Sequence, residues 1–258
     1  MVNLMATRAL DTKPATDPVL QAKIDLAAAL RLAVMHDLDE GIDNHFTAMV
    51  PGHEDRFMML PFGYHWSEAC ASNMIEFDEQ GNTLAGDGIV EITAQSIHAP
   101  LHRISGRKVI MHTHQPWATA LNSLQNNRLV PHNQTASLLH GYIAYDDTYT
   151  GLAYSLEEGE RLAEIIGKKP VLFLKNHGVV VASNSIAQGY KLLYLIERAC
   201  RTQILAMSTG EPLNVIADDV IAKVQGPNEA DRHSGQRHIL YFEAMKRILD
   251  RDMPGYDE

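Results

Sequence analysis

Cysteine is almost missing from this chain of 258 residues. Its two cysteines, Cys70 and Cys200, lie far apart and form no CxxC unit, which argues against a disulfide framework or a cysteine-rich zinc site. Both are expected to be reduced and partly buried. Positive charge is also in deficit, since 22 Lys and Arg face 32 Asp and Glu and leave a formal net charge of -10. That balance opposes binding to nucleic acid or to an anionic membrane surface and favours a small-molecule or protein partner. No run approaches the roughly 20 apolar residues needed to span a bilayer. The stretch from Met1 to Asp17 has no apolar segment flanked by basic residues of the kind that directs export, so a cytoplasmic location is expected.

What is present is an ordinary globular composition, 45% hydrophobic and 21% charged, at a length that suits one large α/β domain. Residues 1–16 are polar, contain Pro14 and read as a flexible arm, leaving 17–258 as the domain. From Val19 to His36 apolar residues recur at helical spacing. Two β-leaning runs follow, 45–51 and 56–63, separated by the turn signal Pro51-Gly52. Turn-rich segments at 78–82 and 85–88 continue the antiparallel character. Beyond residue 92 helix and strand alternate: a helical 93–105, a strand over 108–114, and a helix from Pro116. The segment 155–167 is helical with a capping-box pattern at Ser155 and Glu158. Next come a strand over 171–181, a long helix over 186–207 and an amphipathic helix over 234–251. This rhythm predicts an α/β/α layered fold around one mixed, largely antiparallel sheet.

Histidine is abundant, with 13 copies, and its placement is informative. His112 and His114 sit two apart in a strand, so both imidazoles point to one face, with Ile110 below them. Zinc, manganese or iron(II) accept neutral imidazole nitrogens and need further donors from elsewhere in the fold. His177 is the best third ligand, because it follows an apolar run and precedes Gly178, where the backbone can turn beside a site. Otherwise His112 and His114 are a polar strand end and His177 a capping residue.

These motifs resemble the class II aldolase/adducin family, in which an HxH strand and a later NHG strand supply three metal-binding histidines. The likeness also covers Glu40-Gly41-Ile42-Asp43-Asn44-His45-Phe46-Thr47, Val50-Pro51-Gly52, Leu60-Pro61-Phe62-Gly63, the pair His98 and His102, and the helix from Leu192 to Gln203. The resemblance implies the α/β/α fold, one divalent metal per chain and a homo-oligomer, often a tetramer with sites between subunits. The family's sugar-phosphate aldolases carry a catalytic Glu, preceded by two serines, ahead of the HxH strand. Here the matching stretch is Ile92-Thr93-Ala94-Gln95-Ser96-Ile97-His98, with Ala94 near the expected position and Glu91 three residues too early. The departure resembles the adducin-like branch, which contains decarboxylases of hydroxylated aromatic acids, iron-dependent oxygenases and non-catalytic adducin heads.

The leading expectation is therefore a lyase that breaks a C–C bond of a small hydroxy- or oxo-carboxylate, possible aromatic acids included, by decarboxylation or aldol cleavage through a metal-stabilised enolate. A non-haem iron(II) oxygenase and a non-catalytic interaction module are the alternatives. His98, Gln95 and a tyrosine such as Tyr142 or Tyr241 are candidates for proton delivery. For His98 and His102, spaced i, i+4 on one helix face, a hydrogen-bonded structural role is the alternative. Asn44, His45, Phe62 and Gly63 are candidate substrate contacts, and Arg103 a candidate partner for a substrate carboxylate.

Overall fold

The computed structural model describes residues 17–151, 155–226 and 236–258. The arm expected over residues 1–16 lies outside them, as does Ser234, the expected start of the last helix. Helix α1 (Pro18–Met35) opens with Pro18 at its first position and with the Asp17 side chain accepting from the Val19 N–H at 3.3 Å, which satisfies a donor that no helical carbonyl can reach. Its second half buries Leu26 through Leu30, Leu32 and Ala33, as a helix enclosed by the core does.

Eight strands form one sheet: β1 (His45–Met49), β2 (Arg56–Met59), β3 (Ile75–Asp78), β4 (Thr83–Ala85), β5 (Val109–Thr113), β6 (Ile143–Asp146), β7 (Val171–Leu174) and β8 (Val179–Ser183). Their order is β4-β3-β2-β1-β5-β8-β7-β6, antiparallel at each paired edge except the parallel β6–β7. The mixed, largely antiparallel sheet follows the expectation. One detail does not. The apolar run 171–181, read as a single strand, is two antiparallel strands joined by the turn Lys175–Gly178, with Asn176 at φ 55° and Val171 opposite Val181. Both arms are continuously apolar because both are buried on two faces, so periodicity could not expose the reversal inside the run.

Helices cover both faces. Helix α3 (Pro116–Asn122), α4 (Gln134–Leu139), α6 (Ile186–Met207), α7 (Asp218–Val224) and α8 (Arg237–Asp252) lie with α1 on one side. On the other side α2 (Ala99–Ser105) and α5 (Leu156–Ile166) enclose a core that includes Ile110, Leu172, Leu174, Val180 and Ala182. Helix α2 is entered through a π-helical turn over Ala94–His98, a wider turn that often marks functional sites. Helix α5 packs so tightly on that turn that a Cβ on Gly159 would stand 2.0 Å from the Ser96 carbonyl oxygen. Ser155 caps α5 as its pattern predicts, accepting from the Glu158 N–H. The Glu158 carboxylate, however, takes bonds from Arg161 and Thr150. Among the described residues no helix is long and apolar enough to cross a membrane.

Candidate metal centre

The start of β1, the end of β5 and the turn between β7 and β8 meet at one end of the sheet. In register, His45 lies opposite His112 and His112 opposite Val180, so His114, just past β5, reaches the β7–β8 turn that carries His177. Glycine is required at 178, where a Cβ would fall 2.3 Å from the Thr113 carbonyl oxygen and 2.8 Å from the His114 ring. Two asparagine-based ties hold the loops. Asn44, at φ 71°, accepts from the His114 N–H at 2.9 Å. Asn122 donates from Nδ2 to the Gly178 carbonyl at 2.8 Å and accepts the Asn176 N–H on its own carbonyl at 3.1 Å.

His112, His114 and His177 are thereby gathered with ring centroids 4.7 to 4.9 Å apart and with one nitrogen from each within 4.8 Å of the others. For His112 and His114 an outer partner fixes which nitrogen faces inward. His112 Nδ1 donates to the Val179 carbonyl at 3.0 Å, and His114 Nδ1 donates to the Glu40 carboxylate. Each such bond leaves Nε2 with its lone pair free, as ligand histidines require. His114 Nε2 is buried and has no hydrogen-bond partner, an unfavourable position for a polar atom unless it binds something. Burial, followed by the neighbouring rings His177 and His114, holds the His112 imidazole well below its ordinary range. Burial and His114 bring His177 down to about 4. Neutral imidazole is the ligating form, so the trio fits one divalent cation.

The remaining candidates divide. Asn44, His45 and Phe62 border one small cavity with Tyr64 and Glu91, and Gly63 forms the adjoining turn at φ 97°. His98 is fully buried behind this layer and donates or accepts only among His45 and Thr47, which removes it from the surface where a ligand would sit. Gln95 is not at the trio. Its side chain lies against Gly81 in the β3–β4 turn, where a Cβ would come within 2.7 Å of Oε1, at the opposite end of the sheet. Tyr142 is exposed beside Ile143, at the starting end of edge strand β6, three strands from β5 and remote from the trio of its own chain. Tyr241 lies among the helices with Tyr190 and Tyr194, its hydroxyl without a partner. Arg103 pairs with Glu160 on the surface at 2.6 Å. The wide π-helical turn and the sheet order carry the Gln95 and Tyr142 side chains away from the trio of this chain.

Residues that no motif singles out as site candidates also lie at the site. Glu40 holds His114. Glu91, judged three residues too early, reaches its neighbourhood after all: its carboxylate accepts from the N–H groups of Thr93 and Ala94, bonds to the Thr93 hydroxyl and stands 3.5 Å from His45 Nε2. Burial works to raise the Glu91 carboxyl, but His45, Thr93 and Ala94 outweigh it and bring it to about 2. Thr47 was within reach of the sequence, since strand alternation puts it on the same face as His45.

The profile of the class II aldolase and adducin N-terminal domain matches residues 24–204. A Caulobacter vibrioides protein named as a candidate class 2 aldolase is 32% identical over 238 residues, which is 92% of this chain and 91% of that one. The crystal structure of an aldolase II superfamily protein from Pseudomonas syringae superposes with a TM-score of 0.87 at 29% identity, covering 95% and 98% of the two chains. The decarboxylase NovR of Streptomyces niveus is 27% identical over 204 residues, 78% of this chain and 74% of its own. With this coverage the chain belongs to the class II aldolase/adducin family.

Proposed function

We propose that this chain is a metal-dependent lyase that breaks a C–C bond of a small hydroxy- or oxo-carboxylate, with decarboxylation ahead of aldol cleavage. The observation that carries the reading is the trio: three imidazoles with one nitrogen each brought within 4.8 Å of the others, two of them, His112 and His114, tied off at Nδ1, and His114 Nε2 buried without a partner. His112, His114 and His177 would hold the ion. A divalent cation there supplies Lewis-acid stabilisation of charge developing on substrate oxygens.

The chain's own residues do the rest. Asn44 and Asn122 keep the ligand-bearing loops in place, and Glu40 fixes the His114 ring. Phe62 and Tyr64 offer exposed aromatic faces beside His45, in keeping with an aromatic or other flat acid. Decarboxylation needs an electron sink and a later proton donor but no base to start it, so an alanine at position 94 is compatible with it. The similarity to NovR, named a decarboxylase, supports the same choice. A cytoplasmic homo-tetramer belongs to this reading through the family.

Elemental analysis of protein purified without added metal or chelator tests it, with a His112→Ala/His177→Ala variant beside the parent. About one divalent ion per chain, lost in the variant, is the expected result. Zinc or manganese fits the lyase, whereas iron with substrate-dependent oxygen consumption would replace it by an oxygenase. A parent that takes up no metal on reconstitution would leave the interaction module.

A further inference from the structure

Helix α6 presents one side to a cavity of about 380 Å³ that no trio residue lines. Tyr194, Glu197, Arg198, Arg201 and Leu205 recur at three- and four-residue steps and so form one strip along the helix. The loop 36–38 after α1 and Trp117 at the start of α3 complete the lining. Pockets that take small molecules enclose roughly 300–1,000 Å³, so the cavity is of a size for a small ligand.

Two arginines set its chemistry. Arg198 and Arg201 are exposed and three residues apart, and like charges so spaced on a helix repel. Among the described residues neither forms an ion pair, even with Asp37 or Glu197, the acids in the lining. In a chain with net charge -10 this stands out, since Arg103, Arg128 and Arg161 all meet carboxylates at 2.6 Å. Glu197 spends its two oxygens on the N–H groups of Trp117 and Ala118, at 2.8 and 3.0 Å. Each guanidinium instead lies over a ring, Arg198 at 5.7 Å from the Tyr194 centroid and Arg201 at 5.6 Å from that of Trp117. Stacking engages the flat face of a guanidinium and leaves its edge N–H donors for an acceptor in the plane, such as a carboxylate. The half-buried rings of Trp117 and Tyr194 and the exposed Leu205 add apolar surface, which favours an organic acid over an inorganic anion.

We propose that this cavity is a second ligand site, separate from the metal centre, in which Arg198 and Arg201 bind the carboxylate of a small flat acid whose body rests against Trp117 and Leu205. The site needs no metal and does not depend on the lyase reading. A bound carboxylate would also relieve the repulsion between the two arginines, which nothing else in the lining does.

Tryptophan fluorescence reads the cavity, because Trp117 lines it while Trp66, the other of the two tryptophans, is buried in the core. Titration of the full chain with benzoate is expected to give a saturable change with half-saturation at about 1 mM, and Trp117→Phe should abolish the signal. Arg198→Gln/Arg201→Gln should weaken binding about 10-fold or more. Arg201→Lys, which keeps the charge but not the planar fork, should weaken it as well. Acetate and inorganic phosphate are expected to displace benzoate only at higher concentration. In His112→Ala/His177→Ala the benzoate affinity should match the parent's, so a protein that bound no metal would remove the lyase reading and leave this result standing. A change that stays linear in benzoate, or an arginine double variant that binds as the parent does, overturns the proposal. So does binding that disappears with the trio, or phosphate that displaces benzoate on equal terms. A double variant with altered oligomeric state and unaltered benzoate affinity would give the cavity to a neighbouring subunit and overturn it too.

Discussion

Two groups of histidines lie one layer apart in this molecule and are treated in opposite ways. In the row from His45 to His102, every ring nitrogen has a partner at 2.7 to 2.9 Å. In the trio, Nδ1 of His112 and His114 is tied off, while His114 Nε2 has nothing to bond to. A buried polar group that is satisfied contributes modestly to stability, and one that is stripped of its partner costs more than the bond had contributed. The row therefore reads as part of the fold, and the trio as a place where the fold leaves bonding capacity for a ligand. Residue type does not separate these uses; the bookkeeping of partners does.

Exchanging losses between the two groups would break that contrast most sharply. His98→Ala opens a cavity and strips His45 and Thr47 of partners, for an expected loss of about 3–5 kcal/mol, with metal stoichiometry kept in the folded protein. His114→Ala removes a ring that is half-buried and lacks an inner partner, so the expected cost is under about 1 kcal/mol, while metal is lost. Urea unfolding and elemental analysis on both variants give the answer. If His98→Ala were the milder change, or emptied the site of metal, the division into fold and ligand would be wrong.

Each group also has a carboxylate that caps a nearby helical turn, and the two are shifted in opposite directions. Glu91 accepts from Thr93 and Ala94 and is brought to about 2. Glu197 accepts from the N–H groups of Trp117 and Ala118 at the start of α3, yet burial, with Asp37 adding to it, pushes its carboxyl up to about 7. Relative to the ordinary 4.5, the signs follow from which state holds the proton more tightly. The raised Glu197 stabilises the fold below about pH 4.5 and loses that contribution as pH climbs through 7. The depressed Glu91 contributes above about pH 4.5 and loses its part as pH falls toward 2. Each is worth about 3 kcal/mol at most. Glu197→Gln should flatten the parent's decline in unfolding free energy between pH 4.5 and 7, and Glu91→Gln should flatten the acid limb. Equal slopes in parent and variant would remove the corresponding assignment.

How much of this was readable in advance depends on the kind of contact. The trio was legible because two ligands share a strand face and the third precedes a glycine, both local signals. Helix α6 was legible over its whole length, from Ile186 to Met207, because a long periodic stretch leaves little choice. The β7–β8 reversal was hidden in a run that is apolar on both faces. Where the Gln95 and Tyr142 side chains lie was hidden too, because nothing local reports where a side chain points after a π-helical turn, or how far an edge strand lies from the centre. Glu40 and Glu91 gain their roles only through residues 74 and 46 positions away, His114 and His45 respectively, a relation that exists in the folded sheet and nowhere along the chain.

Glu40 sharpens the comparison at its finest scale, since among the described residues it is the one carboxylate bonded directly to a trio ring. It is mostly exposed, so its pairing with His114 adds little to folding, as surface ion pairs generally do. Its effect should appear instead in how well His114 is held for a ligand. An outer carboxylate that receives Nδ1–H fixes the ring and raises the basicity of the opposite nitrogen, and losing such a partner typically weakens metal affinity about 10–100-fold. Glu40→Gln retains an acceptor oxygen but not the charge, so a loss near the lower end, about 10-fold, is expected, with unfolding free energy changed by less than about 0.5 kcal/mol. Competition for zinc against a chelator of known affinity measures the first quantity, and urea unfolding of the metal-free protein the second. Unchanged affinity would mean that the strand and the Asn44 tie already orient His114 fully, and that Glu40 belongs with the surface.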